Sequence, residues 1–211
     1  MKQLAATALL ALVALLAVSA GESATARPAP VTLQRAGTWT FAGVPPMART
    51  NVAADVAQAT PAARRLLDLL DGRIAIDTDT TRCGHAEACS YREASQGRPW
   101  TIHLPASMLA GTYPSQRFIV LHEMGHAVWG LVLRSADHDA FVSAITRSLG
   151  GRACRTVRDG RPCAITGEVF ADEFARWAGG FRVSMTWYDT PALLSTASFG
   201  ALVDHALGAR A

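Results

Sequence analysis

The sequence predicts an α+β fold: a small sheet from the N-terminal half of the chain packs on a helix beginning near Ser115, and a mostly helical half follows. Two observations carry this. Short segments of period two occur only before Pro105, and from Ser115 onward the apolar spacing becomes helical. A third bounds the size: 211 residues, 50% hydrophobic and 18% charged, suit one globular domain.

Lys2 precedes an apolar run from Leu4 to Val18 that ends in the small residues Ser19, Ala20 and Gly21. A basic start, an apolar stretch below spanning length and a small-residue boundary read as a secretory signal peptide over residues 1–20, cleaved after Ala20. The expectation is a secreted, extracellular chain with no membrane segment in its mature form, because Arg, Asp, Gly or Pro interrupts every later apolar stretch. Residues 21–36 are rich in Pro, Ala and Ser and read as a flexible mature N-terminus, leaving 37–211 as a single domain.

Within that domain GTWTFAG (37–43) alternates like a short strand, and Pro45-Pro46 marks a turn. Thr60 followed by Pro61 is a helix N-cap with proline at the first helical position, and PAARRLLDLLD carries an amphipathic helix to Gly72. RIAIDT (73–78) and WTIHL (100–104) are strand-like, separated by a polar loop that contains Cys83 and Cys89. The strand from Trp100 to Leu104 is expected to offer its edge to an extended peptide, with His103 in a structural role. QRFIVLHEMGHAVWGLVL is the central helix, and DHDAFVSAITRSL (137–149) is another, closed by Gly150-Gly151. Thr166 is the candidate N-cap for GEVFADEFARWAGGF, and Thr190-Pro191 opens a last helix through LLSTASFGALVDHAL.

Lys plus Arg number 20 against 17 Asp plus Glu, a formal charge of +3 spread along the chain. That balance gives no electrostatic case for nucleic acid or for anionic lipid. In an exported chain the four cysteines, Cys83, Cys89, Cys154 and Cys163, are expected to form disulfides, pairing locally as 83 with 89 and 154 with 163. Two other connectivities stay open. So does a structural zinc site using His85, although neither spacing is a CxxC knuckle.

The chemistry concentrates on His122-Glu123-Met124-Gly125-His126, an HExxH pattern on the central helix. At about 100° per residue, two histidines four apart lie about 40° from each other, so both rings reach one ion, and Glu123 projects from the adjoining side of the same turn. The uncharged flanks Phe118–Leu121 and Ala127–Trp129 bury this turn. Burying such groups without a partner would cost several kcal/mol, whereas a metal neutralises and orients them. Patterns that demand glycine at 129 and histidine or aspartate at 132 are excluded by Trp129 and Val132, so Met185 needs no methionine-turn role. Downstream, Glu168 and Asp172 share one helical face, with Phe170 and Phe174 on another. One carboxylate can bind the metal while the other accepts the free N–H of a ligand histidine; Glu173 competes for the ligand position.

HEMGH together with E-x-x-A-D-x-F-A over Glu168–Ala175 resembles the gluzincin metallopeptidases, and is similar to the anthrax lethal factor and the ImmA/IrrE-type peptidases. The resemblance spans roughly residues 115–178. It implies a minimal zincin-like domain and one catalytic Zn2+ held by His122, His126 and Glu168. Asp172 would partner His122, Glu123 would be the general base acting on a zinc-activated water, and the substrate would be a peptide or protein. Sites of this kind often draw a Tyr, His or Arg from outside the motif for the oxyanion; Tyr188 and His205 are the candidates, with Tyr113 behind them. Two other functions fit the same residues: a secreted zinc-binding domain without turnover, and a zinc hydrolase acting on cell-wall peptide.

Overall fold

The computed structural model describes residues 39–84, 86–92, 99–111, 115–150, 152, 165, 167–182 and 194–208. The chain divides into two contact units, Met1–Thr32 and Leu33–Ala211, and every described residue belongs to the second. The signal-peptide and N-terminal segments, His85, Tyr113, Cys154, Cys163, Thr166, Met185 and Tyr188 lie outside the described residues.

The fold is α+β, as the change of period predicts. Strands β1 (Thr40–Ala42), β2 (Ile74–Asp77), β3 (Cys89–Arg92) and β4 (Trp100–His103) form one mixed sheet in the order β1-β2-β4-β3. The β1–β2 and β2–β4 pairs are parallel, and β3 runs antiparallel to β4 with Ser90 opposite Ile102 and Cys89 opposite His103. Strand β4 is therefore flanked on both sides, and among the described residues the edge strands are β1 and β3. This corrects the expectation that the segment from Trp100 to Leu104 offers its own edge. Period-two geometry sends alternate side chains to opposite faces; Ile74, Ile76 and Ile102 on one face are buried at 0–1% exposure. They join a core that includes Phe118, Leu121 and Met124.

Helix α1 (Pro46–Ala57) occupies a stretch read from sequence only as a turn at Pro45-Pro46. Pro46 stands at its first position, where the missing N–H removes no helical bond. Helix α2 (Pro61–Asp68) starts where the Thr60-Pro61 pair places it, with Thr60 Oγ1 accepting from Ala63 N at 3.4 Å. It ends four residues before Gly72, which closes the following turns at φ +69°. A short helix α3 (Ala106–Leu109) follows Pro105.

Helix α4 (Gln116–Ala127) carries the HExxH turn and continues as a wider π-type turn over Val128–Val132. Helix α5 (Ser135–Leu149) opens two residues before Asp137, whose carboxylate accepts from Arg134 N at 2.9 Å, and closes at Gly150 with φ +56°. Helix α6 (Gly167–Gly179) is buried along nearly all its length. Helix α7 (Thr196–Gly208) is capped by Ser195, to whose hydroxyl Ser198 N donates at 3.1 Å, while the expected start at Thr190-Pro191 lies outside the described residues. A buried pair ties α6 to this start. Glu173 accepts from Arg176 Nη2 at 2.6 Å and from Leu194 N at 3.3 Å, while Arg176 also donates to Leu194 O. Aromatic rings of α5, α6 and α7, among them Phe141, Phe170 and Phe199, pack edge to face or tilted between the three helices.

Candidate metal centre

A glycine inside the motif brings the two site-bearing helices together. A Cβ on Gly125 would lie 2.8 Å from Ala171 Cα, 3.2 Å from Ala171 O and 3.2 Å from Phe174 Cδ1. Only a residue without a side chain lets α4 approach α6 this closely, and the small Ala171 completes the contact. At the same crossing Glu168, in the first turn of α6, reaches the histidines of α4.

His122 Nε2 is 3.6 Å from Glu168 Oε2, and His126 Nε2 is 3.4 Å from Glu168 Oε1. The two imidazoles meet nearly at right angles, 83°, with centroids 4.9 Å apart. One potential ligand atom from each of the three residues lies within 4.8 Å of the other two. His122 is buried, His126 half-buried, and Glu168 is exposed at the mouth. Among the described residues this is the one such gathering of three His, Cys, Asp or Glu side chains. Two imidazole nitrogens and a carboxylate oxygen on a common point are a donor set that can hold a divalent metal ion.

The remaining groups are arranged around that point. Asp172, one turn after Glu168 and 3% exposed, faces the far nitrogen of His122, with Nδ1 to Oδ1 at 3.7 Å. Both nitrogens of His122 thus look at carboxylates. Burial opposes a charge on His122 but is outweighed by Asp172 and Glu168, helped by the charge of Glu123, and its pKa is pushed up to about 10. The same two histidines hold the Glu168 carboxyl well below the usual carboxylate range. Glu123 is 5% exposed; burial raises its pKa against the pull of His122 and His126. Its Oε2 is buried with no hydrogen-bond partner.

The sequence-derived site residues are distributed as follows. His122, Glu123, His126, Glu168 and Asp172 come together. Glu173 is taken out of contention as a ligand by its pairing with Arg176 and Leu194 N. His205 is exposed on α7 and is not among the gathered groups. Cys83 and Cys89 form a disulfide, S–S 2.05 Å, which removes the zinc-ligand alternative for this pair. His103 is structural: its Nδ1 contacts Asp77 Oδ1 at 2.5 Å and its ring stacks on Tyr91. Sequence reasoning missed Ser90, which the edge strand carries to the HExxH turn; its Oγ donates to the Glu123 carbonyl at 3.3 Å. The alternation available in Cys89–Arg92 is only four residues long.

No described helix is long and apolar enough to cross a membrane. The chain matches no protein-family profile, no curated protein and no solved structure. Fold and site together define an α+β protein with a disulfide-anchored sheet edge and a candidate metal centre between two closely packed helices.

Proposed function

We propose that this chain is an exported zinc-dependent metallopeptidase. The observation that carries the reading is the convergence of His122, His126 and Glu168 from two helices, with a buried, partly unpaired carboxylate, Glu123, on the turn between the histidines. The apolar N-terminal run and the Cys83–Cys89 bridge support export to an oxidising compartment. His122, His126 and Glu168 would hold the ion; zinc bound by three protein groups keeps a position for water, lowers its pKa from 15.7 to about 7 and polarises a carbonyl.

The chain's own residues supply the rest. Asp172 orients His122 from its Nδ1 side and leaves Nε2 turned toward Glu168. Glu123 accepts the proton of the attacking water and later passes it to the departing amine. Its burial favours this, because a raised pKa makes it a stronger base. Strand β3, an edge strand among the described residues, would offer backbone N–H and C=O groups to an extended peptide, so that substrate is read first by its main chain. Tyr188 and His205 are the candidate donors to the tetrahedral oxyanion.

The deciding comparison is Glu123→Gln against wild type on a peptide library, with metal content measured on both. The substitution should keep the metal and cut turnover by at least about a hundredfold. Equal turnover by the two proteins would remove Glu123 from catalysis and the peptidase reading with it.

A further inference from the structure

We infer that Ser90 is a positioning residue for Glu123, presented to it by a sheet edge that the Cys83–Cys89 bridge holds in place. The inference rests on the reading of Glu123 as the general base and adds the group that orients it. Register comes first: Ser90 lies opposite Ile102, so it shares the sheet face whose Ile102 is fully buried. Cys89 and Tyr91 take the other face, where Tyr91 stacks on His103. A slip of one residue would turn Ser90 away from α4 and bring in Cys89 or Tyr91.

The register is well secured for an edge strand. Cys89, immediately before Ser90, is bonded to Cys83. Cys83 ends a 3-10 turn, Thr80–Cys83, capped by Asp79, whose Oδ1 accepts from Thr81 N at 3.0 Å and from Thr81 Oγ1 at 2.5 Å. Asp79 N in turn donates to Asp77 Oδ1 at 3.1 Å at the end of β2. Cys89 is thereby tied to the end of β2, and the half-buried Ser90 hydroxyl donates to the Glu123 backbone carbonyl at 3.3 Å. A serine hydroxyl has one proton and rotates freely. Given to the carbonyl, as the 3.3 Å bond has it, it steadies the helix turn from which the Glu123 carboxylate projects. Glu123 Oε2, buried with no hydrogen-bond partner, shows that this carboxylate is not held by a full set of its own contacts.

The test uses the full mature chain with Ser90→Ala, Ser90→Thr and Ser90→Val. Thr and Val share shape and strand preference and differ in the hydroxyl, so the pair separates a positioning role from packing if the alanine variant folds poorly. Two readouts are taken. On zinc-loaded protein with a peptide substrate, Ser90→Ala and Ser90→Val should lower kcat about tenfold with KM and zinc content unchanged, and Ser90→Thr should restore kcat to within about threefold. On metal-free protein at fixed pH, the Glu123 carboxyl-carbon resonance, assigned by its loss in Glu123→Gln, should move in Ser90→Ala and Ser90→Val and return in Ser90→Thr. Equal kcat in Thr and Val variants, or a resonance indifferent to the hydroxyl, would overturn the inference. If wild type and Glu123→Gln both fail to cleave peptides, the peptidase reading falls separately. The resonance then decides whether Ser90 holds the carboxylate.

Discussion

Two buried histidines in this molecule each face an aspartate, yet their surroundings make them different objects. His103, at the end of β4, contacts Asp77 at 2.5 Å, lies under Tyr91, and has a second nitrogen that is buried without a partner. Asp79 lies close enough to feel its charge, but no second imidazole joins the pair, and no three-ligand cluster forms there among the described residues. His122 faces Asp172 at 3.7 Å on one side and Glu168 at 3.6 Å on the other, with His126 completing the group. An aspartate beside a histidine is thus only a brace. A second imidazole and a second carboxylate converging on the free nitrogen are what leave room for a cation.

The largest effect that would separate the two pairs is loss of the metal. Glu168→Ala should weaken zinc binding by more than about a hundredfold, whereas Asp77→Asn should leave it unchanged and cost about 1–3 kcal/mol of stability. Titration calorimetry beside chemical denaturation measures both. Zinc lost from both variants would erase the distinction. Asp172→Asn should be intermediate, lowering affinity about ten- to a hundredfold, because the orientation of His122 is weakened and no ligand is removed. Smaller again is Gly125→Ala, which forces α4 away from Ala171. It should cost about 1–3 kcal/mol and bring a parallel loss of metal affinity, since the same crossing positions Glu168. Undiminished affinity would show that the close approach does not set the site.

A pH dependence in the metal-free protein gives the smallest and most specific contrast. The folded-state pKa of His122, about 10, lies above its ordinary value of 6.5, so its contribution is fully present below about 6.5 and is lost as pH rises through about 10. Thermal denaturation of metal-free wild type should therefore show stability falling over that window, and His122→Gln should flatten the slope. Saturating zinc should flatten it also, because a bound metal replaces the proton. An unchanged slope in His122→Gln would place the proton elsewhere.

How much of this was legible follows from how locally each element is encoded. The HExxH turn and the Glu168/Asp172 spacing both lie inside single helices, where an interval of four fixes a shared face, so those faces were readable before any tertiary contact was known, while the choice of Glu168 as ligand and Asp172 as the partner of His122 came from the likeness to the gluzincins. The role of Gly125 was not readable, because it depends on Ala171 arriving from a distant helix. Helix α1 escaped notice because Pro45-Pro46 reads equally as a turn and its Ala-rich sequence shows little apolar periodicity; its burial comes from packing. Strand β3 was hidden for a related reason. Cys89, Ser90, Tyr91 and Arg92 carry no β-branched side chain, and the strand exists by pairing with β4 and by its bridge to Cys83. With β3 hidden, Ser90 and the sheet edge beside β4 were hidden too.

The central claim is that one ion sits between α4 and α6 on three named side chains. Anomalous diffraction from crystals of the zinc-loaded chain, recorded on either side of the zinc absorption edge, tests it most directly. The account predicts a single full-occupancy peak about 2.0–2.2 Å from a ring nitrogen of His122, a ring nitrogen of His126 and a carboxylate oxygen of Glu168. A zinc peak elsewhere, or one at the histidines with Glu168 turned out to solvent, would contradict it.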